Sequence, residues 1–404
     1  MADTQPTNGF YIAARDAAPP VPADAFERAF GEPLARVLDL NTWSPGEDLA
    51  ALYQRLEQEV GEALVQENRV GRRVRAEVLP RLARRPQAPP GAGVFRVTPD
   101  QVERVHRGLL FTGAVEACDG ASAFLDTMPV TIAQVGVALV SYRGDQGTWV
   151  ERLFRRDLRV ADDDPAAEAL ALLEARRQRG GLGQERRDAL TRLARRGLMT
   201  YAERAALVYR SQARWRVGHG APAPLELLTG SGSFELLRAS LDMLTELIAG
   251  HRRFLFVPSE PEDRLLLTIG NALGPLEFAV VRRASERLEA MLERSGRLPP
   301  PLERRLDEFV HAVGGQIAVG VFRASRAAPP QLFYSHLELA HEAGLIAIAD
   351  STLQEHRGFP LLLDLAHAVC RAAFGAEVFH GTARAAYAAH GAPFRYLSER
   401  QTRE

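Results

Sequence analysis

The sequence predicts an α/β fold: a mixed sheet flanked by helices, with an α-helical N-terminal segment and C-terminal helices. Three observations carry this. Runs rich in β-branched and aromatic residues follow one another from Val115 to Val160, in lengths that suit strands. Apolar residues recur three and four apart from Leu49 to Val65, the period of an amphipathic helix. From Pro360 to Tyr387 the pattern is again helical.

Composition sets outer bounds. The chain has 404 residues, 46% of them hydrophobic and 25% charged, with a formal net charge of −1. That is enough for a full core, and it gives no global drive toward nucleic acid, so any such surface must be local. Lysine is absent and all 50 basic residues are arginine. A GxxxxGK phosphate loop and lysine Schiff-base chemistry are therefore excluded. Cys118 and Cys370 form no CxxC motif and fit a reducing, cytoplasmic setting. No signal peptide and no membrane-spanning run is expected.

In order, residues 1–22 read as a flexible N-terminus and 23–86 as a helical segment, with Ser44-Pro45-Gly46-Glu47 a plausible helix start. This segment packs on the body or on a partner. Residues 95–395 form the main domain. Thr98-Pro99-Asp100-Gln101 caps a short helix. Val115 to Ser122 reads as a strand ending on Asp119, with Gly120 allowing a turn directly after the acid. Thr131–Tyr142 and Thr148–Val160 follow as strands joined by a hairpin at 143–147. Three strands in succession, with the acid on the first, open a ribonuclease H-like sheet.

Asp164 to Trp215 is helical in pattern, broken near Gly180 and Gly197. Between Arg176 and Arg216 it carries twelve arginines against Glu185, Asp188 and Glu203. Such a face, with Arg192, Arg195 and Arg196 at its centre, can neutralise phosphates; as a plain charge run it is a solvated helix surface. Pro224–Phe234 reads as a short strand ending in a glycine-serine turn, and Ser233–Ile248 as a helix. Further strands are expected at Arg252–Glu260, Pro275–Val281, in IAVGVFRA and QLFYSHLEL, and at Gly344–Ser351.

Asp119 at a strand edge, Glu203 inside MTYAERAAL, the PLELLTGSGS turn, and RGFPLLLDLAH ending on His367 line up in order. This order resembles the NurA family of DNA-end-processing nucleases over roughly residues 110–375. Its most specific part pairs the Asp-Gly strand with an aromatic-Pro segment, here Phe359, eight residues before a helical histidine. The resemblance implies a ribonuclease H-like fold, a homodimer, cleavage of DNA with Mn²⁺ (Mg²⁺ as a substitute), and a hexameric HerA-type ATPase as partner in double-strand break repair. It makes Asp119 the first metal ligand, Glu203 the helical acid and His367 the C-terminal histidine.

Two positions depart from the family pattern. Thr229 stands where an acid precedes a glycine, and Phe359 where tyrosine is common. Glu226 or Asp350 then becomes the candidate to complete the metal site, although three residues along a strand point to opposite faces. The chemistry stands without the family: carboxylates hold a cation that polarises a phosphoryl oxygen, and histidine shuttles a proton. Taken singly, Glu203 reads as a surface acid paired with Arg204, and His367 as a satisfied core histidine. Competing readings are a NurA-like clamp or adaptor whose site has degraded at Thr229, and a relative acting on RNA, for which no aromatic RNP-type motif is present.

Overall fold

The computed structural model describes residues 24–43, 49–127, 130–155, 190–260, 263–285 and 298–394, with positions 166, 170, 173, 288 and 289. The expected flexible N-terminus, the helix start at 44–47 and most of the arginine-rich stretch before Leu190 lie outside these residues.

Helices α1 (Ala25–Phe30), α2 (Leu34–Leu38) and α3 (Leu49–Glu77) come first. The end of α3 is tied to the body by ions and amides: Arg75 makes paired hydrogen bonds of 2.8 and 3.0 Å to Glu277, and Asn271 donates to Glu67 at 2.8 Å. Its leading half leaves Leu52, Leu56, Val60 and Leu64 exposed. Of the two alternatives for this segment, the body takes only the trailing part.

Strand β1 (Gly93–Arg96) leads to α4 (Pro99–Val105), which Thr98 and Gln101 start with a reciprocal capping box. Next come β2 (Val115–Asp126), β3 (Thr131–Ser141) and β4 (Gly144–Arg155), an antiparallel meander. Here the structure corrects the sequence in two ways. β2 does not turn at Gly120 but runs seven residues beyond Asp119, because β3 pairs with it throughout, Asp119 opposite Ala138. The hairpin is also tighter than expected, since Gly144, at φ 116°, already lies in β4.

A π-helical turn, Leu193–Gly197, runs straight into α5 (Leu198–Tyr209), so Gly197 does not break the helix. The helix then stops short of Trp215, which instead begins β5 (Trp215–His219). β5 pairs in parallel with β2, and β6 (Phe254–Val257) in parallel with β5. Pro224–Phe234 is not a strand: it forms α6 (Leu225–Leu228) and a 3₁₀ turn, and α7 (Phe234–Thr245) follows. Pro224 sits at the N-cap of α6 and good helix formers follow it, so local preference favours the helical turn.

The chain continues through α8 (Arg264–Asn271), β7 (Glu277–Arg283), α9 (Pro300–Ala312), β8 (Ile317–Arg323) and β9 (Gln331–His336). It ends in α10 (Ala340–Thr352), α11 (Leu361–Phe374) and α12 (Ala376–Ala389). The strand expected at Gly344–Ser351 is thus part of a helix. An apolar run buried on all sides has no period by which helix and strand can be told apart, and α10 buries Ala343, Ile346, Ala347, Ile348 and Ala349 together.

One nine-stranded mixed sheet holds these elements, in the order β1-β7-β8-β9-β6-β5-β2-β3-β4. The meander β2–β4 followed by parallel β5 and β6 is the ribonuclease H-like arrangement. Side chains alternate between two cores. Val137, Leu139, Phe254 and Phe256 face one core, which α5, α7 and α9 cover through Leu207, Leu241 and Phe309. Ala138, Val140, Leu255 and Val257 face the other, against Ile346 and Leu362 of α10 and α11.

Trp215 is fully buried at the start of β5. Trp215→Ala should cost about 3–5 kcal/mol through the cavity it leaves, read as a drop in the urea midpoint. A midpoint near that of the wild type would mean that β5 is not an integral strand.

Candidate active site

The site forms where β2 and β5 part. Their ladder ends at the pair Cys118–Gly218. Beyond it β2 continues beside β3, while β5 stops at His219 and turns away at Gly220, whose φ of 81° is left-handed. A cleft of about 710 Å³ opens there, lined by Asp119, Gly120, Glu203, His219, Phe359 and His367 among others. Parallel strands commonly bind ligands at such a divergence beyond their carboxyl ends.

Each side chain has a local cause for its place. Asp119 continues the inward row of Val115 and Ala117, so it points toward α11, where His367 Nδ1 lies 2.7 Å from its Oδ2. Glu203 comes from α5, on the other face. It fits because residue 120 is glycine: a Cβ there would lie 2.6 Å from Glu203 Oε1. Arg204 Nη1 donates to Glu203 Oε2, and its Nη2 donates to the carbonyls of His219 and Ala221 at 2.8 Å each. Arg204 thereby ties the acid to the end of β5, with its guanidinium over the Phe256 ring at 5.3 Å.

Glu203 and Arg204 are both buried. Burial pushes the Glu203 carboxyl up from its ordinary range to about 7, with Asp119 adding to the rise and Arg204 opposing it. Burial holds the His219 imidazole below its usual range. The Asp119 side chain is 13% exposed, whereas that of His367 is 54% exposed.

Of the residues singled out by sequence, Asp119, Glu203, Phe359 and His367 line this one cleft. Three others do not. Glu226 lies on α6 and lines a separate cavity of about 500 Å³, which shares only His219 and Ser259 with the cleft. Thr229 caps the end of α6 and donates its hydroxyl to the Leu225 carbonyl at 2.8 Å. Asp350 is buried on α10, where it accepts from the Tyr142 hydroxyl and from the Leu362 N–H at 3.1 Å. Both errors of register have one origin. The later strand that ends before a glycine is β5, with His219-Gly220, and not the run through Thr229. Arg192, Arg195 and Arg196 are exposed on the helical stretch that leads into α5, outside the cleft lining.

The reading from sequence missed His219 and assigned Arg204 only to the surface. The signal for His219 was short: a Trp-Arg-Val-Gly-His alternation followed by glycine.

Among the described residues no three His, Cys, Asp or Glu side chains stand close enough together to hold a metal ion. The donor types still suit a divalent cation. Hard cations that dehydrate reluctantly are held by one or two carboxylates plus substrate phosphate and water, and they need no closed protein cage. Asp119 and Glu203 are the residues that would hold such an ion. No helix among the described residues is long and apolar enough to cross a membrane.

No protein-family model matches the chain, and no curated protein matches it. Among solved structures, it is similar to the NurA nuclease from Sulfolobus solfataricus at 10% identity, covering 72% of this chain and 93% of that one, with a TM-score of 0.41. A NurA structure with manganese matches at 11% identity, over 72% of this chain and 95% of that one, with a TM-score of 0.36. Endonuclease V from Ciona intestinalis, in complex with an inosine-containing DNA, matches at 8% identity over 64% and 84%, with a TM-score of 0.26. At these identities and TM-scores none of the three bears on what the chain does.

The Asp350 carboxyl is pushed by burial from 3.8 to about 7. The native state therefore keeps a proton that the unfolded chain releases, so stability falls as pH rises from about 4 to about 7. Glu203 acts in the same direction. In Asp350→Asn the fall in urea midpoint between pH 5 and pH 8 should be smaller than in the wild type. An equal fall would show that Asp350 is not held protonated in the core.

Proposed function

We propose that this cleft cleaves phosphodiester bonds in DNA, as a NurA-like nuclease working with Mn²⁺ or Mg²⁺. One observation carries the proposal: Asp119, Glu203 and His367, from a strand and two helices far apart in sequence, meet in a single cleft. A divalent ion bound there supplies charge that polarises a phosphoryl oxygen and acidifies a water.

The chain's own residues supply the proton movements. Asp119 accepts from His367 Nδ1, which fixes the ring and leaves Nε2 to take a proton from the attacking water. Glu203, whose carboxyl burial pushes up to about 7, would hold an ion only in its ionised form, so ion binding there would release its proton. The low exposure of Asp119 and Glu203 limits water around the charges and so strengthens their interactions. The finer parts of the proposal are assembly as a homodimer, coupling to a HerA-type hexameric ATPase and resection of DNA ends. The leading half of α3 supports association with protein, since Leu52, Leu56, Val60 and Leu64 are exposed together.

One observation favours a second reading. The cleft end of β5 carries His219 and not an acid, and Asp119 and Glu203 already have side-chain partners, His367 and Arg204. Such a cleft suits a clamp or adaptor that holds DNA for a motor without cutting it. Incubation of wild type with labelled DNA and Mn²⁺, with and without the motor, separates the two: cleavage supports the nuclease, and binding without cleavage under both conditions supports the clamp.

On the nuclease reading, Asp119→Asn should abolish cleavage while DNA binding persists, and Glu203→Gln should slow it about 100-fold or more. Wild-type cleavage rates in both variants would remove these residues from the chemistry. Replacing Arg192, Arg195 and Arg196 together should lower the salt dependence of DNA affinity by a slope of about 3. An unchanged slope would place the DNA path elsewhere.

A further inference from the structure

We infer that His219 contacts the phosphate of the bound nucleic acid, presenting an N–H donor beside Asp119 at the cleft end of β5. The inference rests on the reading that the cleft takes a phosphodiester.

Register places the residue. Cys118 pairs with Gly218, so Asp119 and His219 are the next residues along two parallel strands and leave them on the same side. Both line the cleft. The hydrogen bonds from Ser259 then fix the ring. The Ser259 backbone N lies 3.3 Å from His219 Nε2, and its hydroxyl lies 2.8 Å away. A backbone N–H can only donate, so Nε2 must be the acceptor. The neutral ring then carries its proton on Nδ1. Arg204 holds the same strand end through the carbonyl of His219, so the backbone beneath the ring is anchored as well.

The chemistry follows from the tautomer. Nδ1 bears hydrogen and has no lone pair for a cation, while the Nε2 lone pair is engaged by Ser259. In this arrangement the ring is a hydrogen-bond donor and not a metal ligand. Its natural partner in a cleft that takes nucleic acid is a non-bridging phosphate oxygen. A carboxylate at this position would repel that oxygen unless a cation lay between them; a neutral imidazole attracts it directly. His219 therefore lets the cleft bind DNA before, or without, a divalent ion.

The test is fluorescence anisotropy of a labelled DNA in EDTA, with the full chain. His219→Ala should weaken binding about tenfold. His219→Asn, whose amide N–H stands near the position of Nδ1–H, should retain most of the affinity; His219→Gln, whose amide reaches toward Nε2, should resemble alanine. In the wild type, ¹⁵N NMR of the ring should show the Nδ1–H tautomer, a readout that needs no variant to fold. Equal affinity of His219→Ala and wild type overturns this inference alone, as does an Nε2–H tautomer or a better fit by glutamine than by asparagine. A wild type that binds DNA with Mn²⁺ but not in EDTA also overturns this inference alone; one that binds DNA under neither condition overturns the functional reading as well.

Discussion

Everything in the cleft depends on β2 and β5 keeping their ladder no further than Cys118 and Gly218. Had the pairing continued, the space between Asp119 and His219 would be closed by backbone hydrogen bonds. It ends because the two strands answer to different neighbours. β3 carries β2 onward for its whole length, and β5 leaves the sheet at Gly220. Through the resulting gap, side chains of both helical layers reach one volume. Asp119, His219 and His367 come from the face covered by α11, and Glu203 comes from α5 on the opposite face. Gly120 is the hinge of this arrangement, because any side chain there would meet the Glu203 carboxylate and Met199.

Arg204 turns that geometry into a fixed electrostatic setting. A buried ion pair is weak evidence for net stability, since desolvation offsets much of the attraction. Here the guanidinium also donates to two backbone carbonyls past the end of β5, so its removal would leave both an unpaired buried acid and two bereft acceptors. Desolvation and Arg204 oppose each other on Glu203, and desolvation wins, leaving the carboxyl near neutrality. Asp119 is less enclosed and has the exposed His367 as partner.

The sheet was legible where alternation was long. Thr131–Ser141 is apolar on both faces, as a strand between two cores must be, and the α11 helix shows its period over fourteen residues. The candidate site was legible as residue types in order, with Asp119, Glu203 and His367 each in a distinct setting. What remained hidden was register. β5 has five residues and follows an arginine-rich helix, so its alternation is brief and its Trp215 looks like a continuation of the preceding pattern. Pro224–Phe234 offered a longer apolar run ending in glycine, and it drew the second acid to Thr229. Asp350 failed for a different reason: a run buried on every side has no amphipathic period, and α10 is such a run. Even the bland reading of Glu203 held a correct part, its pairing with Arg204, but not the burial, which depends on the sheet lying beneath α5.

A histidine and not an acid at the end of β5 also bears on the order in which ligands can arrive. The charged groups that line the cleft are Asp119, Glu203, Asp364 and Arg357, the last bonded to Asp364, with Arg204 buried behind Glu203. With neutral imidazoles the balance is slightly negative when Glu203 is ionised and even when it is protonated. A phosphodiester approaching such a cleft meets little repulsion. Three unpartnered carboxylates would require a cation first, because like charges at close range cannot all stay ionised. On the proposed reading, nucleic acid can therefore enter this cleft before the ion does. That order is compatible with a nuclease that loads its substrate before it is armed, and equally with a clamp that is never armed. What distinguishes the two is only whether Asp119 and Glu203 can exchange His367 and Arg204 for a cation once the phosphate is in place.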